Sequence, residues 1–458
     1  MFLEIVRSEG LSHLSYVLGD GNQAAVIDPR HDYEIYLDIA YQKGAQITHI
    51  FETHRNEDYV IGSQSLAQRT GADIYHGHAL PFGYGNGVKE GDTFALGDIL
   101  LKIIETPGHT EESISIALIE KGFGDAAVGV FTGDALFIGD VGRTDFYPDR
   151  AEEVAGQLYD SIFNKLLPLG DQTILYPAHG AGSICGSGMA SREFSTLGYE
   201  RKFNPRLQMN REDFIHYKVN EHHYQPPYFR KMEELNKQGT DPLTELPKPK
   251  PMTAEQFALA MEDGMVVLDT RSPEAIAGAL IPGSLAIPLP MVPAFAGWYL
   301  PYDMPIGLVT QDFGDIEKAV RFLVRLGYEK VTGYLEDGLH AWETSGRHYD
   351  TIPAVHADTL KARIDNNETY TLLDVRSRTE FENSSLPDAK HIYVGEVQNR
   401  YKEIPEPRPV TTFCGSGQRA IVAASVLKRN GFDAVEVCLG SMAACAAIGC
   451  SILKGEAA

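Results

Sequence analysis

Residues 47–54 read ITHIFETH, 99–109 ILLKIIETPGH, 127–134 AVGVFTGD and 173–179 TILYPAH. Each opens with a short apolar run bounded by Gly, Pro or Thr, the pattern of a buried strand. Each closes on a group able to bind or support a metal: His54, His109, Asp134 and His179. Polar groups placed just beyond strand ends converge on one edge of a layered α/β fold, where ligand sites form. These runs therefore predict the fold and the site together.

On either side of them the pattern continues. Residues 15–18 and 24–28 flank GDGN, a hairpin turn. Helical spacing covers 33–43 and 61–70, strands are predicted over 91–96, 99–105, 113–119 and 127–131, and a helix over 152–166. Strands inside and helices outside make an αβ/βα sandwich over residues 1–235. From 224 to 251 the chain is rich in Pro and poor in large apolar residues (QPPYF, DPLTELPKPKP), which predicts an extended linker, placed at 236–251. Within this stretch KMEELNKQG (231–239) is read as a short solvated helix at most.

An internal repeat follows. VVLDTRSPEAI (266–276) matches TLLDVRSRTEF (371–381), and IGLVTQDFGDIEKAVRFLVRLGYEKV (306–331) matches VTTFCGSGQRAIVAASVLKRNGFDAV (410–435). Each copy runs strand, turn, helix, glycine, strand, so two small α/β units with parallel sheets are expected, at 252–350 and 351–458.

Composition excludes several roles. A formal net charge of −23 argues against nucleic acid and against an anionic membrane as partners. No apolar run approaches the roughly 18 residues of a membrane span, and MFLEIVRSEG lacks the apolar core of a secretory signal. The five cysteines form no CxxC, so neither a disulfide framework nor a zinc ribbon is indicated, and a reducing cytoplasm is the expected location.

Two imidazoles and a carboxylate with open positions suit non-haem iron(II), and three-ligand open sites also suit catalytic zinc. The ligand types leave both metals possible. The ordered pattern Thr53-His54-Arg55-Asn56-Glu57-Asp58-Tyr59, Pro107-Gly108-His109, Gly133-Asp134 and Ala178-His179 resembles the metallo-β-lactamase superfamily. The superfamily's usual first motif is T-H-x-H-x-D-H. Here its second and last histidines are Asn56 and Tyr59, and that loss leaves the second metal position only Asp58, His179 and a share of Asp134. A two-zinc hydrolase of the glyoxalase II type is thereby disfavoured. The intact set His54, His109 and Asp134 is the one the superfamily's persulfide dioxygenases use for a single iron, and FTGDALFIGDVGRTDF (131–146) is similar to that family. The resemblance implies Asp58 as a residue orienting a ligand or Arg143. It implies His179 as a ligand or a hydrogen-bonding neighbour of the ligands, and Arg143 as either a structural ion pair or a contact for an anionic substrate group. Cys185, in GAGSICGSG (180–188), is read as a buried inert thiol or as a sulfur-handling one.

The second constellation is Cys414-Gly415-Ser416-Gly417-Gln418-Arg419, which follows a predicted strand and opens a helix. Backbone N–H groups, the positive helix end and the Arg419 charge all favour a thiolate there. With Leu373-Asp374-Val375-Arg376 and Glu380 upstream, this resembles the six-residue active loop of the rhodanese family, with Asp374 and Arg376 as scaffold. NSSLPDAKHI (383–392) departs from the family's usual entry motif. In the first copy the equivalent turn, Thr310 to Asp315, has no cysteine and carries two acids, so that copy reads as a catalytically dead rhodanese-like unit with a spacer or docking role. Cys438, Cys445 and Cys450 read as core.

Together these parts resemble the bacterial persulfide dioxygenase–rhodanese fusions. The resemblance implies one Fe(II) (or zinc) in the N-terminal domain and a low-molecular-weight thiol persulfide and O2 as substrates. It implies sulfite as product, thiosulfate formed or consumed at Cys414, and a homo-oligomer. The alternative is a mononuclear zinc thioester hydrolase of the glyoxalase II kind with sulfurtransferase domains attached.

Overall fold

In the computed structural model, which describes residues 1–183, 188–405 and 409–455, the N-terminal chain opens as a meander of β1 (Phe2–Ser8), β2 (His13–Asp20) and β3 (Gln23–Ile27), antiparallel throughout. The β2–β3 turn passes through Gly21 at φ 59°, which is why GDGN closes a hairpin. Helix α1 (Glu34–Lys43) returns the chain to β4 (Gln46–Glu52), parallel to β3, and α2 (Ser63–Thr70) to β5 (Asp73–Gly77), beside β6 (Asn86–Val88). The six strands lie in sequence order.

A second six-stranded sheet holds β7 (Thr93–Leu96), β8 (Ile99–Glu105), β9 (Ile114–Glu120), β10 (Ala127–Gly133), β11 (Ile174–Pro177) and β12 (Ser195–Thr196), also in order. One core joins the sheets, with Leu18, Ile27 and Phe51 from the first meeting Leu101, Ile103, Ile116 and Phe131 from the second. The outer face of the second sheet packs Val130 and Leu175 against Leu158 of α3 (Ala151–Ser161), Leu197 of α4 (Leu197–Phe203) and Phe214 of α5 (Arg211–Asn220). The order helix, sheet, sheet, helix is the αβ/βα sandwich. The four opening runs are β4, β8, β10 and β11.

The stretch read as linker behaves differently from its composition. Residues 231–238 belong to α6 (Phe229–Gln238), and Phe229, Met232 and Asn236 on it are buried. Positions 229, 232 and 236 recur at helical spacing, so they form one narrow stripe, too thin to register in a compositional window. Beyond α6 the chain still packs down: Leu243 N donates to Ser65 Oγ at 2.9 Å, and Arg69 donates to Thr244 O at 2.7 Å. By contact, residues 1–245 with 324–327 form one unit, and 246–323 with 328–458 the other.

The second unit holds the repeat as two five-stranded parallel sheets of identical order. In the first, Lys250–Met252, Val331–Leu335, Ile306–Val309, Val266–Asp269 and Leu285–Ala286 lie side by side. The second runs Ala354–Val355, Val435–Cys438, Val410–Phe413, Thr371–Asp374 and Lys390–His391. In both copies the Asp-x-Arg core is a buried clamp. Arg271 pairs with Asp269 and donates to Ala279 O, and Arg376 pairs with Asp374 and donates to Ser384 O. Cys438, Cys445 and Cys450 are buried together in the core of the second copy.

Candidate metal centre and thiol loop

His54 stands two residues beyond β4, and its tautomer is set from behind. Thr53 Oγ1 donates to Asp28 Oδ2 at 2.8 Å and so accepts from His54 Nδ1 at 2.9 Å. Nε2 is thereby left with its lone pair. Asp28 also accepts from Thr53 N at 2.7 Å, and burial pushes its carboxyl up to about 7. His109 is set the same way, with Nδ1 donating to Arg143 O at 2.9 Å. The turn before it requires Gly108, whose φ is 138° and where a Cβ would lie 2.4 Å from Leu158 N. Asp134 follows β10 after Gly133, at φ 52°, where a Cβ would press on Thr53 Oγ1 at 2.6 Å.

These elements bring three ligand atoms together. One atom each of His54, His109 and Asp134 lies within 4.8 Å of the other two, and all three residues are buried. His54 Nε2 and His109 Nε2 stand 3.8 and 3.7 Å from Asp134 Oδ2. Each of these atoms is buried without a hydrogen-bond partner. Three orphaned donors, two nitrogens and a carboxylate oxygen, facing one point fit a bound cation and fit little else, because leaving them unpaired is costly. Without an ion, burial opposes the charge on His109 but is outweighed by Glu57 and Asp134, which hold it up at about 9.

His179 has both ring nitrogens engaged, Nδ1 with Asp134 Oδ1 at 2.7 Å and Nε2 with Asp58 Oδ2 at 3.0 Å. It therefore stands behind Asp134 as a hydrogen-bonding support, with no lone pair directed at a metal. Asp58 orients His179 and not Arg143. Arg143 is fully buried: it clamps Asp145 through two hydrogen bonds of 2.7 Å, donates to Tyr224 O and lies between the rings of Phe146 and Phe229. A guanidinium so occupied is a strut, the structural ion pair that was one of the two roles expected of Arg143. What it supplies to the site is its carbonyl, beneath His109. Cys185 lies outside the described residues.

The two departures from the histidine pattern are filled structurally. Asn56 Nδ2 donates to His54 O at 3.2 Å, and Tyr59 packs on the His13 ring at 4.1 Å with its hydroxyl directed to Asp28 O. Sequence reasoning overlooked four contributors. Asp28 stands beyond β3 as the predicted groups stand beyond their strands, and that signal could have found it. Glu57 lies inside the motif, its Oε2 3.4 Å from His109 Nε2. Asn236 of α6 donates to Asn56 O and Tyr59 O at 2.6 and 2.7 Å and accepts from Ile61 N at 2.9 Å, and Glu233 pairs with Arg55. No local pattern announced these last two. A cavity of about 560 Å³ bounded by Asp145, Phe146, Phe229, Arg230 and Glu233 lies beyond Phe146, whose ring meets His109 edge-on at 5.4 Å.

In the second unit the thiol loop is built on the helix Gln418–Arg429, capped at Gly417 with φ 102°. Cys414 is buried, its Sγ accepts from Gly417 N at 3.1 Å, and its own N donates to Ser441 Oγ. Gly415 faces Arg419, Ser416 is the exposed tip, and Gln418 begins the helix. Arg419 does not present a free charge. It holds Glu380 through two bonds of 2.6 and 2.8 Å, and although burial opposes it, the pairing holds the Glu380 carboxyl down at about 2. In the first copy Thr310, Ala275 and Asp315 stand at the positions of Cys414, Glu380 and Arg419.

Residues 9–179 match the model of the metallo-beta-lactamase superfamily, and 253–345 and 356–447 each match that of the rhodanese-like domain. A crystal structure titled as a metallo-beta-lactamase from Staphylococcus aureus is 32% identical, with a TM-score of 0.66, covering 73% of this chain and 98% of that one. The chain belongs to the metallo-beta-lactamase superfamily. This superfamily member carries two rhodanese-like domains behind its metal domain. Persulfide dioxygenase ETHE1, mitochondrial, of Bos taurus is 28% identical over 218 residues, 44% of this chain and 74% of that protein. Hydroxyacylglutathione hydrolase of Rhodospirillum rubrum is 36% identical over 159 residues, 34% of this chain and 56% of that protein. Among the described residues no helix is long and apolar enough to cross a membrane.

Proposed function

We propose that the N-terminal domain is a persulfide dioxygenase, which oxidises the terminal sulfur of a low-molecular-weight thiol persulfide to sulfite, and that Cys414 transfers sulfane sulfur to or from the product. The observation that carries this reading is the single three-donor site: His54 Nε2, His109 Nε2 and Asp134 Oδ2 lack partners, while His179 is spent between two carboxylates. One ion with open positions suits O2 chemistry. A binuclear hydrolase needs a second position that Asn56, Tyr59 and His179 do not furnish. The similarity to persulfide dioxygenases of mammals supports the same reading.

Iron(II), the metal in this reading, supplies the redox chemistry when bound by the three donors. Thr53 and Asp28 keep His54 Nδ1 protonated, so that Nε2 stays a lone-pair donor, and the Arg143 carbonyl does the same for His109. His179 holds one oxygen of Asp134 and leaves the other for the ion. Burial of all these groups excludes bulk water, and Phe146 and Phe229 offer an apolar wall to the carrier. The balance is R–S–SH + O2 + H2O giving R–SH + H2SO3. At the thiol loop, Gly417 N–H and the helix N-terminus stabilise a persulfide on Cys414. Attack by sulfite on its outer sulfur breaks the S–S bond, releases thiosulfate and returns the Cys414 thiolate. The reverse direction consumes thiosulfate.

The test is an oxygen-electrode assay of iron-loaded protein with a panel of thiol persulfides, with sulfite and thiosulfate measured. O2 uptake matched by sulfite is expected. Thioester hydrolysis by zinc-loaded protein with no persulfide-dependent O2 uptake overturns the reading in favour of the hydrolase.

A further inference from the structure

We propose that Cys445 and Cys450 are a redox-active pair, and that their disulfide clamps the helix that holds the Cys414 loop. The helix Ser441–Ala447 ends in a turn that brings the two side chains together. Cys450 N donates to Cys445 O at 2.9 Å and Gly449 N to Ala446 O at 3.4 Å, with Gly449 at φ 71°. This is the Schellman ending, in which the third-last helical residue and the second residue past the cap meet on one side of the turn. The first copy of the repeat ends its helix Gly338–Thr344 in the same way, with Gly346 at φ 73° and its N donating to Glu343 O at 3.1 Å. There the two positions hold Trp342 and Arg347, and the guanidinium lies over the indole at 5.5 Å. In the second copy both positions are cysteines. The backbone hydrogen bond between them keeps their Cα atoms within the about 4.4–6.8 Å that a disulfide spans.

Both thiols are free and share one core with Cys438. Burial, and then the hydrogen bond with the Cys450 thiol, push the Cys445 thiol up, while Cys438 acts on it only as a more distant charge. Ala446, Ala447, Ile448, Gly449 and Ser451 are exposed, so Cys450, itself 8% exposed, lies just beneath a single surface turn. It is therefore the thiol that attacks, and the oxidant is a low-molecular-weight disulfide, R–S–S–R. The Cys450 thiolate displaces R–S⁻, which takes up the proton Cys450 released. Cys445 then attacks the Cys450 sulfur, the bond to the remaining R–S breaks, and a second R–SH leaves with the Cys445 proton. Two protein thiols are oxidised and one R–S–S–R is reduced to two R–SH. At its other end the same helix carries the thiol loop: Met442 N donates to Cys414 O and Ala443 N to Gly415 O, each at 3.0 Å, and Ser441 Oγ accepts from Cys414 N at 3.1 Å. A cross-link from the last helical turn to the chain beyond the cap restricts the frayed forms of this short helix. The hold on Cys414 thereby follows the thiol–disulfide balance around the protein.

The experiment equilibrates the full-length protein in mixtures of reduced and oxidised glutathione, quenches with acid, blocks thiols with N-ethylmaleimide and cleaves with trypsin. Cleavage after Arg429 and Lys454 leaves Cys438, Cys445 and Cys450 on one peptide, apart from Cys414. On the oxidising side this peptide is expected to lose two hydrogens and to carry a single maleimide, on Cys438. Cys445→Ser is expected to carry glutathione on Cys450 in its place, and Cys438→Ser to leave the midpoint unchanged. Three maleimides at every ratio, or a disulfide that includes Cys438, overturns the pair. The clamp is read by amide hydrogen exchange over 441–447, expected to slow by about tenfold in the disulfide form and to stay unchanged by oxidised glutathione in Cys445→Ser. A disulfide that forms without slowing exchange overturns the clamp. If Cys445→Ser does not fold by circular dichroism, the wild-type peptide map and exchange decide both points.

Discussion

At the scale of single residues, the site depends on which nitrogen of each imidazole is protonated. Arg143 O and Thr53 Oγ1 hold the two Nδ1 protons, and both Nε2 atoms therefore converge on Asp134. His109→Ala removes one of the three donors, and is expected to lower metal affinity by more than about tenfold and to abolish persulfide-dependent O2 uptake, while sulfur transfer at Cys414 persists. Metal content by mass spectrometry and a thiosulfate–cyanide assay check both halves. Cys414→Ser is expected to do the reverse. The Glu380–Arg419 pair carries a pH signature. The Glu380 carboxyl is lowered from 4.5 to about 2, so its contribution is complete above pH 4.5 and is lost as pH falls through that window. The melting temperature of Glu380→Gln is expected to lie below that of wild type at neutral pH and to meet it at pH about 2. A gap unchanged with pH refutes the assignment.

At the scale of elements, α6 is the part whose role reverses on inspection of the structure. Its exposed face is charged, and the flanking prolines give the whole stretch the composition of a tether. Its buried stripe of Phe229, Met232 and Asn236 nevertheless ties down the 54–61 loop that carries His54, Glu57 and Asp58. Asn236→Ala leaves two carbonyls and one N–H of that loop without their partner. A cost of about 2–4 kcal/mol is expected, read by thermal unfolding, together with weaker metal binding in the chelator titration. The four strands that lead into the site were, in contrast, legible in the sequence, whereas β1, β5, β6 and β12 were not predicted. AVGVF is apolar on both faces because it lies between the first sheet and the helices, whereas ILLKIIE turns Lys102 to solvent on its outer face.

At the scale of the whole molecule, the proposed function puts two chemistries on one chain, where covalent linkage would raise the effective concentration of a sulfur intermediate common to both. The first copy of the repeat lacks the residues that the proposed sulfur transfer uses. Cysteine, arginine and the glutamate that holds the arginine are all replaced in the first copy, by Thr310, Asp315 and Ala275. Thr310→Cys alone, in a Cys414→Ser background, is accordingly expected to restore no sulfur transfer, because Asp315 would repel a thiolate at the same helix start. The combination Thr310→Cys, Asp315→Arg, Ala275→Glu is expected to restore a measurable fraction in the thiosulfate–cyanide assay. Equal activity of the single and triple variants counts against the importance of the pair.

Some of this protein is determined by sequence alone. Strand runs, the ligands at their ends, the thiol loop and the repeat are local patterns, set by hydrophobic period, Gly and Pro punctuation and fixed spacings, and they are readable without knowing what packs on what. What only the tertiary structure decided are the partnerships across long separations. Asp28 behind Thr53, His179 between Asp58 and Asp134, Arg143 spent on Asp145, Glu57 against His109 and Asn236 on the 54–61 loop are cases where a polar side chain's meaning lies in the one atom opposite it. Burial makes such partners obligatory, but residue type and spacing do not name them. The fold brings them together, and with them the difference between a ligand, a support and a strut.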